Sequence, residues 1–213
     1  MGKVKVKICG ITNWADARRA VGAGADFLGF NFYAPSPRYI TPAKARRIVQ
    51  RLPKGASSVG VFVNETEENM LEIVRLVGLD CLQLHGDEPP AMIERLSHSL
   101  PIIKAVRVRR PFRAGRLQRF RRAKALLLDG FDGGFYGGTG RTFDWKVARR
   151  AKIYGRVFLS GGLTPENVAE AIRVARPYAV DVCSGVEAKP GRKDSARMKT
   201  FMHAVKKAQK AKR

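Results

Sequence analysis

The chain of 213 residues carries 41 Lys and Arg against 18 Asp and Glu, a formal net charge of +23, and 45% of it is hydrophobic. This length buries a substantial core and commonly forms one domain when the fold is an α/β barrel. No apolar run reaches the ~18 residues of a membrane span, the start MGKVKVKICG lacks a signal stretch, and Cys9, Cys81 and Cys183 lack paired metal or redox spacing, so a soluble cytoplasmic protein with reduced thiols and no structural metal is expected.

Short β-branched runs alternate with longer helical patterns throughout. Strands are predicted at Val4–Cys9, Phe27–Phe32, Ser58–Asn64, Cys81–His85, Ile102–Val108, Ala125–Asp129, Val157–Ser160 and Ala179–Cys183. Helices are predicted at Ala15–Val21, Pro42–Leu52, Glu67–Val77, Pro90–Leu100, Arg116–Arg122, Trp145–Tyr154, Pro165–Ala175 and Ser195–Lys210, with apolar residues recurring near every third or fourth place. Thr41-Pro42, Asp144-Trp145 and Thr164-Pro165-Glu166-Asn167 read as N-caps. Nearly all-apolar strands suit a parallel sheet covered on both faces, and eight such units fit one closed (β/α)8 barrel, a TIM barrel, over residues 1–213 with a basic tail at about 206–213. An open doubly wound sheet is the alternative fold.

In a barrel the active face is built from residues at the C-terminal ends of the strands. Cys9, Asn31, Arg38, Asn64, His85, Arg107, Asp129, Ser160 and Asp181 fall at or near those ends. Cys9, directly before Gly10, is either a packed thiol or a nucleophile or base, and its polar company favours function. Arg38, between Pro37 and the second predicted helix, is either a surface residue or a two-pronged grip for a carboxylate. His85 carries a proton or orients its loop. Asp129 ends the apolar run ALLLD, where desolvation that raises a carboxyl pKa makes a general acid feasible. Asp181 lies within a strand and needs a partner, either a protein donor or a substrate hydroxyl.

Glycine-rich turns follow the last three strands: Gly137–Gly140, Ser160–Gly162 and Ser184–Glu187. Barrels often hold a phosphate between the loops after strands seven and eight, so a phosphorylated substrate is expected, with tight turns as the alternative use of these glycines. GGTGRT lacks the Walker spacing and lysine, and GAGADFLG precedes a strand, which argues against nucleotide cofactors. Arg107–Lys124 holds eight Arg, one Lys and no acid, and residues 206–213 add five bases. These are solvated faces or a nucleic-acid surface; no nucleic-acid motif accompanies them, so such binding is expected to be nonspecific if it occurs.

KICGIT, FNFYAPSPRYI, VGVFVN, LQLHGDE, LLLDG…GGTGRTFDW, FLSGGLTPENV and VDVCSGVE…PGRKD resemble, in order from residue 7 to 194, the signatures of the phosphoribosylanthranilate isomerases of tryptophan biosynthesis. The resemblance implies a (β/α)8 barrel without cofactor and an Amadori rearrangement of N-(5-phosphoribosyl)anthranilate, a small anionic substrate, to 1-(2-carboxyphenylamino)-1-deoxyribulose 5-phosphate. It makes Asp129 the acid that protonates the furanose oxygen and Cys9 the thiolate that removes the C2′ proton. Arg38 would hold the anthranilate carboxylate, with His85 in support, and Asp181 a ribose hydroxyl. The phosphate would lie on Gly161, Gly162, Ser184 and Gly185, helped by Gly138 and Gly140. A monomer and a homodimer are both compatible with it.

Cys183 stands where the family usually has serine, and in a closed barrel strand eight adjoins strand one, so a Cys9–Cys183 contact is conceivable although no disulfide is expected in the cell. Two related barrel reactions compete: the histidine-pathway isomerisation, which uses paired aspartates where this first strand ends in Cys9, and indole-forming ring closure, which needs a strand-end lysine acid. A nucleic-acid-binding barrel is favoured by charge alone.

Overall fold

A computed structural model describes residues 3–109, 111–130 and 143–210. Eight parallel strands close into a barrel in sequence order: β1 (Lys5–Ile8), β2 (Phe27–Asn31), β3 (Ser57–Phe62), β4 (Cys81–Leu84), β5 (Ile102–Val108), β6 (Ala125–Gly130), β7 (Arg156–Leu159) and β8 (Ala179–Val182). β1 pairs with both β2 and β8, with Ile8 opposite Leu28 on one side and Val182 on the other, so the sheet has no edge. The doubly wound alternative is thereby excluded. Around the barrel lie α1 (Trp14–Ala23), α2 (Pro42–Val49), α3 (Glu67–Val77), α4 (Pro90–Leu96), α5 (Trp145–Ala151), α6 (Val168–Ala175) and α7 (Ser195–Lys210). Residues 206–210 are thus the end of a helix.

Local chemistry sets the helix starts. The side chains of Asn13, Thr41, Thr66 and Asp144 accept hydrogen bonds from backbone N–H groups at positions 16, 44, 69 and 146, each satisfying a donor the first helical turn cannot. The sixth helix begins at Val168, later than Thr164-Pro165 predicts. Asn167 explains this, because its side chain accepts from Thr164 N (2.9 Å) and donates to Gly162 O (2.8 Å), closing a separate turn first. The fifth unit differs most: Ala114–Phe120 is a 3₁₀ helix in place of the α-helix expected at Arg116–Arg122. Arg113 provides no side-chain cap, Gly115 weakens the first turn, and arginines at 113, 116 and 119 crowd like charge at spacing three. This short segment leaves a cavity of about 360 Å³ against β5, lined by Lys104, Phe112, Leu117 and Phe120 among others.

Side chains alternate between two cores. Outside the strands, a continuous apolar layer joins them to the helices. Inside, Val59, Cys81, Ile103, Ala105, Ala125, Leu127, Phe158 and Ala179 plug the barrel, with Phe158 set edge-on to Phe27 at a centroid distance of 5.3 Å. Above this plug the inward positions turn polar: Lys7, Gln83, Asp129 and Asp181. Truncating the plug by Phe158→Ala should lower the unfolding free energy by about 3–5 kcal/mol in urea denaturation. A loss below about 1 kcal/mol would contradict the packing.

Candidate active site

The first and last strands meet through charge. Lys7 on β1 is fully buried, and its Nζ donates to Asp181 Oδ1 on β8 at 2.8 Å. Ser160 Oγ, just past β7, donates to Asp181 Oδ2 at 2.9 Å. Asp181 therefore has the protein donors that its position in a strand required. Burial alone would discharge Lys7, but attraction to Asp181 and then to Cys9 outweighs it and raises the lysine pKa above its ordinary 10.5.

Cys9 follows β1 and lies on the same inward side as Lys7, partly exposed. Its N–H donates to Val182 O at 2.9 Å, which sets Cys9 beside Cys183 across the β1–β8 seam. Gly29 makes room, since a Cβ there would stand 2.7 Å from Cys9 Sγ. Gly10 adopts φ +75°, and a Cβ at this position would meet both Cys183 Sγ and Arg38 Cδ at 3.0 Å. The neighbouring Cys183 thiol is the largest influence on Cys9; with help from Lys7 it overcomes burial and lowers the Cys9 thiol from 9.0 to about 6. The Cys9 thiol beside it, reinforced by burial, pushes Cys183 well up.

Arg38 and the Cys183 sulfur both close on Gly10, each within 3.0 Å of where a Cβ would stand. Arg38 Nε and Nη2 bind the Glu187 carboxylate, Nη2 at 2.8 Å from Oε2. Glu187 opens β9 (Glu187–Lys189), which pairs with β10 (Arg192–Lys193) in a hairpin after β8. Lys193 donates to Glu187 Oε1 at 2.9 Å, and its backbone N–H donates to Asp16 Oδ2, tying the hairpin to α1. Burial would raise the Glu187 carboxyl, but the Arg38 hydrogen bond and Lys193 hold it below its ordinary 4.5.

A second chain of contacts lies across β4 and β6. Gln83 Nε2 is 2.8 Å from His85 Nδ1, and His85 Nε2 is 3.3 Å from Asp129 Oδ2. An amide nitrogen facing Nδ1 donates to it, so in neutral His85 the proton sits on Nε2 and points at Asp129. Asp129 is buried and faces inward like Leu127. Its Oδ1 faces Gly161, where a Cβ would come within 2.9 Å.

The loops after β7 and β8 interlock through glycine. Gly161 and Gly162 have φ +84° and +64°. Added Cβ atoms would lie 2.2 Å from Gly130 N at Gly161 and 2.0 Å from Leu163 O at Gly185, so both residues are demanded by packing. Ser184 and Gly185 belong to a 3₁₀ turn over Ser184–Val186. Gly138 and Gly140 lie outside the described residues. Two other strand-end residues turn to loop bracing: Asn31 accepts from Tyr33 N and donates to Ser36 Oγ, and Asn64 Oδ1 accepts from Asp87 N. Sequence reading missed Lys7, Gln83, Glu187 and Lys193; the lone lysine in VKIC, two residues before the thiol and so on the same face of the strand, was the available signal.

The family model for N-(5'-phosphoribosyl)anthranilate isomerase matches residues 6–204. The chain belongs to this family. An isomerase of that name from Moorella thermoacetica is 51% identical over 207 residues, covering 97% of this chain and 91% of the relative. The phosphoribosylanthranilate isomerase structure from Thermotoga maritima superposes with a TM-score of 0.90 at 46% identity, covering 96% of this chain and 99% of that one. Another isomerase structure, in complex with reduced 1-(o-carboxyphenylamino)-1-deoxyribulose 5-phosphate, gives a TM-score of 0.87 at 44% identity, covering 96% and 99%. Among the described residues, no helix is long and apolar enough to cross a membrane.

The two donors to Asp181 differ in kind, which denaturation can resolve. Asp181→Ala should cost about 3–5 kcal/mol because it strands a buried lysine charge. Ser160→Ala, which deletes a hydroxyl donor to Asp181, should cost only about 1 kcal/mol. Equal losses in urea denaturation would contradict a charge-dominated seam.

Proposed function

We propose that this barrel mouth carries out the Amadori rearrangement of N-(5-phosphoribosyl)anthranilate, with Cys9 as base and Asp129 as acid. One observation carries the proposal: a thiol held low by its neighbours and a buried carboxyl face inward at the C-terminal ends of strands in one barrel. Asp129 gives a proton from Oδ1 to the furanose oxygen while Oδ2 accepts from His85. The bond from C1′ to the ring oxygen breaks, and the nitrogen lone pair completes a Schiff base. The Cys9 thiolate then removes the C2′ proton, and the electron pair moves to form an enolamine. Tautomerisation yields the ketone. Each such proton transfer contributes about 10²–10⁴-fold to rate.

Binding follows the charges. Glu187 occupies the Nε–Nη2 side of Arg38. The end-on edge formed by Nη1 and Nη2 is the geometry that would take the anthranilate carboxylate. Gly161, Gly162, Ser184 and Gly185 supply the phosphate loops, and Asp181 keeps acceptor capacity for a ribose hydroxyl. The +23 chain attracts this doubly anionic substrate, so capture weakens as salt rises.

Cys9→Ala and Asp129→Asn should each lower turnover by at least about 10²-fold with the fold intact, measured by the fluorescence decay of freshly generated substrate. Near-normal rates in either variant would refute its assigned role. Arg38→Ala should chiefly raise KM. The acid limb of kcat/KM should fall near pH 6, because protonation below that value removes the base.

A further inference from the structure

The outer face of β5 carries a buried charge that the proton transfers above do not use. Ile103 and Ala105 belong to the plug, so Lys104 points the other way, into the apolar layer that holds Ile102 and Val108. Its Nζ donates to Glu88 Oε2 at 2.6 Å, to Gly86 O at 2.7 Å and to Leu84 O at 3.3 Å. Each of the three ammonium donors thus has an acceptor. Glu88 is buried as well, and its Oε1 accepts from Gly86 N at 2.9 Å and from Asn64 N at 3.0 Å. These contacts converge on one short stretch of backbone. Leu84 O before His85, and Gly86 N and Gly86 O after it, are all bound by the ion pair, while His85 N donates to Phe62 O at 2.8 Å.

We propose that Lys104 and Glu88 are positioning residues for the acid half of the site: by fixing the peptide groups on either side of His85, they aim its Nε2 at Asp129. Gln83 meets the ring at Nδ1, which settles the tautomer. Where the ring sits depends on the backbone that bears it. His85 Nε2 stands 3.3 Å from Asp129 Oδ2, so a further displacement of about 0.3 Å takes it out of hydrogen-bonding reach. Stability is a poor reason for the pair. Burial draws the Lys104 ammonium below its ordinary 10.5 even with Glu88 attached, and apolar residues of similar volume often replace such pairs without loss. What the pair supplies is direction, because it grips backbone on both sides of a single residue. The proposal rests on Asp129 being the acid, and its test separates the two ideas.

The central variant combines Lys104→Met with Glu88→Gln, which leaves no stranded charge. The new amide oxygen still accepts from Asn64 N and Gly86 N, but Leu84 O and Gly86 O lose their donor. Glu88→Gln alone, in which Lys104 can shed its proton, carries the same test if the double variant does not fold. Turnover is followed by the fluorescence decay of freshly generated substrate, in the wild-type background and in His85→Asn. In the wild-type background kcat should fall by about 10- to 100-fold with KM within about twofold, the pattern of a misaimed group and not of a lost binding contact. In His85→Asn, itself slowed at least as much, the same substitutions should change kcat by less than about twofold, because the residue they act through is gone. An unchanged kcat in the wild-type background overturns the proposal, as does an equal fractional loss in both backgrounds, which is the mark of a merely structural role. Near-normal kcat in His85→Asn also overturns it, and Asp129→Asn then locates the failure: an inactive Asp129→Asn leaves the acid standing without His85, whereas an active one removes the acid assignment itself.

Discussion

The buried ion pair between Lys7 and Asp181 is the constraint on which this site depends. It spans the seam where the first strand meets the last, so the contact that closes the barrel also lies beneath the reactive thiol. Taking two charges out of water costs several kcal/mol each before their attraction returns any of it, and well-packed apolar residues often serve stability as well or better. Stability alone therefore does not account for the pair. Its placement does: Lys7 supports a negative charge on Cys9, while Asp181 and Ser160 hold Lys7 in position.

On the other side of the barrel the contacts run from an amide through an imidazole to a carboxyl group. Gln83 selects the His85 tautomer, and His85 occupies one oxygen of Asp129. An acid and a base that must begin the cycle in opposite protonation states are thus kept in separate hydrogen-bond systems, one gathered on β1 and β8, the other on β4 and β6. The end of β7 joins these halves, since Ser160 donates to Asp181 while the next residue, Gly161, lies against Asp129 and the end of β6. A side chain there would push the phosphate loop and the acid apart.

Much of this was legible in the residues. Apolar runs of the right length and their spacing define eight staves, and polar residues at their ends mark the mouth. Lys7 was not singled out: in Val4–Ile8 lysines alternate with apolar residues, a pattern that in a one-sided sheet puts the lysines in solvent. In a closed barrel that side is the interior. Arg38 was read as a surface residue or a grip for a substrate carboxylate, whereas the structure shows its guanidinium held by Glu187, 149 residues away in sequence. No local pattern encodes such a pair. The fifth helix failed for the opposite reason: the apolar spacing was present, but capping and charge did not support an α-helix.

The central claim is that one thiol of the three is an anion at neutral pH. Cys81 is raised to about 12 by burial and Cys183 is raised by its partner, so neither contributes to thiolate absorbance in that range. An ultraviolet titration of the intact wild-type protein should show a single thiolate appearing with a midpoint near 6. No thiolate until the ordinary thiol value of 9.0 is approached, or a step that persists unchanged in Cys9→Ser, would contradict the account.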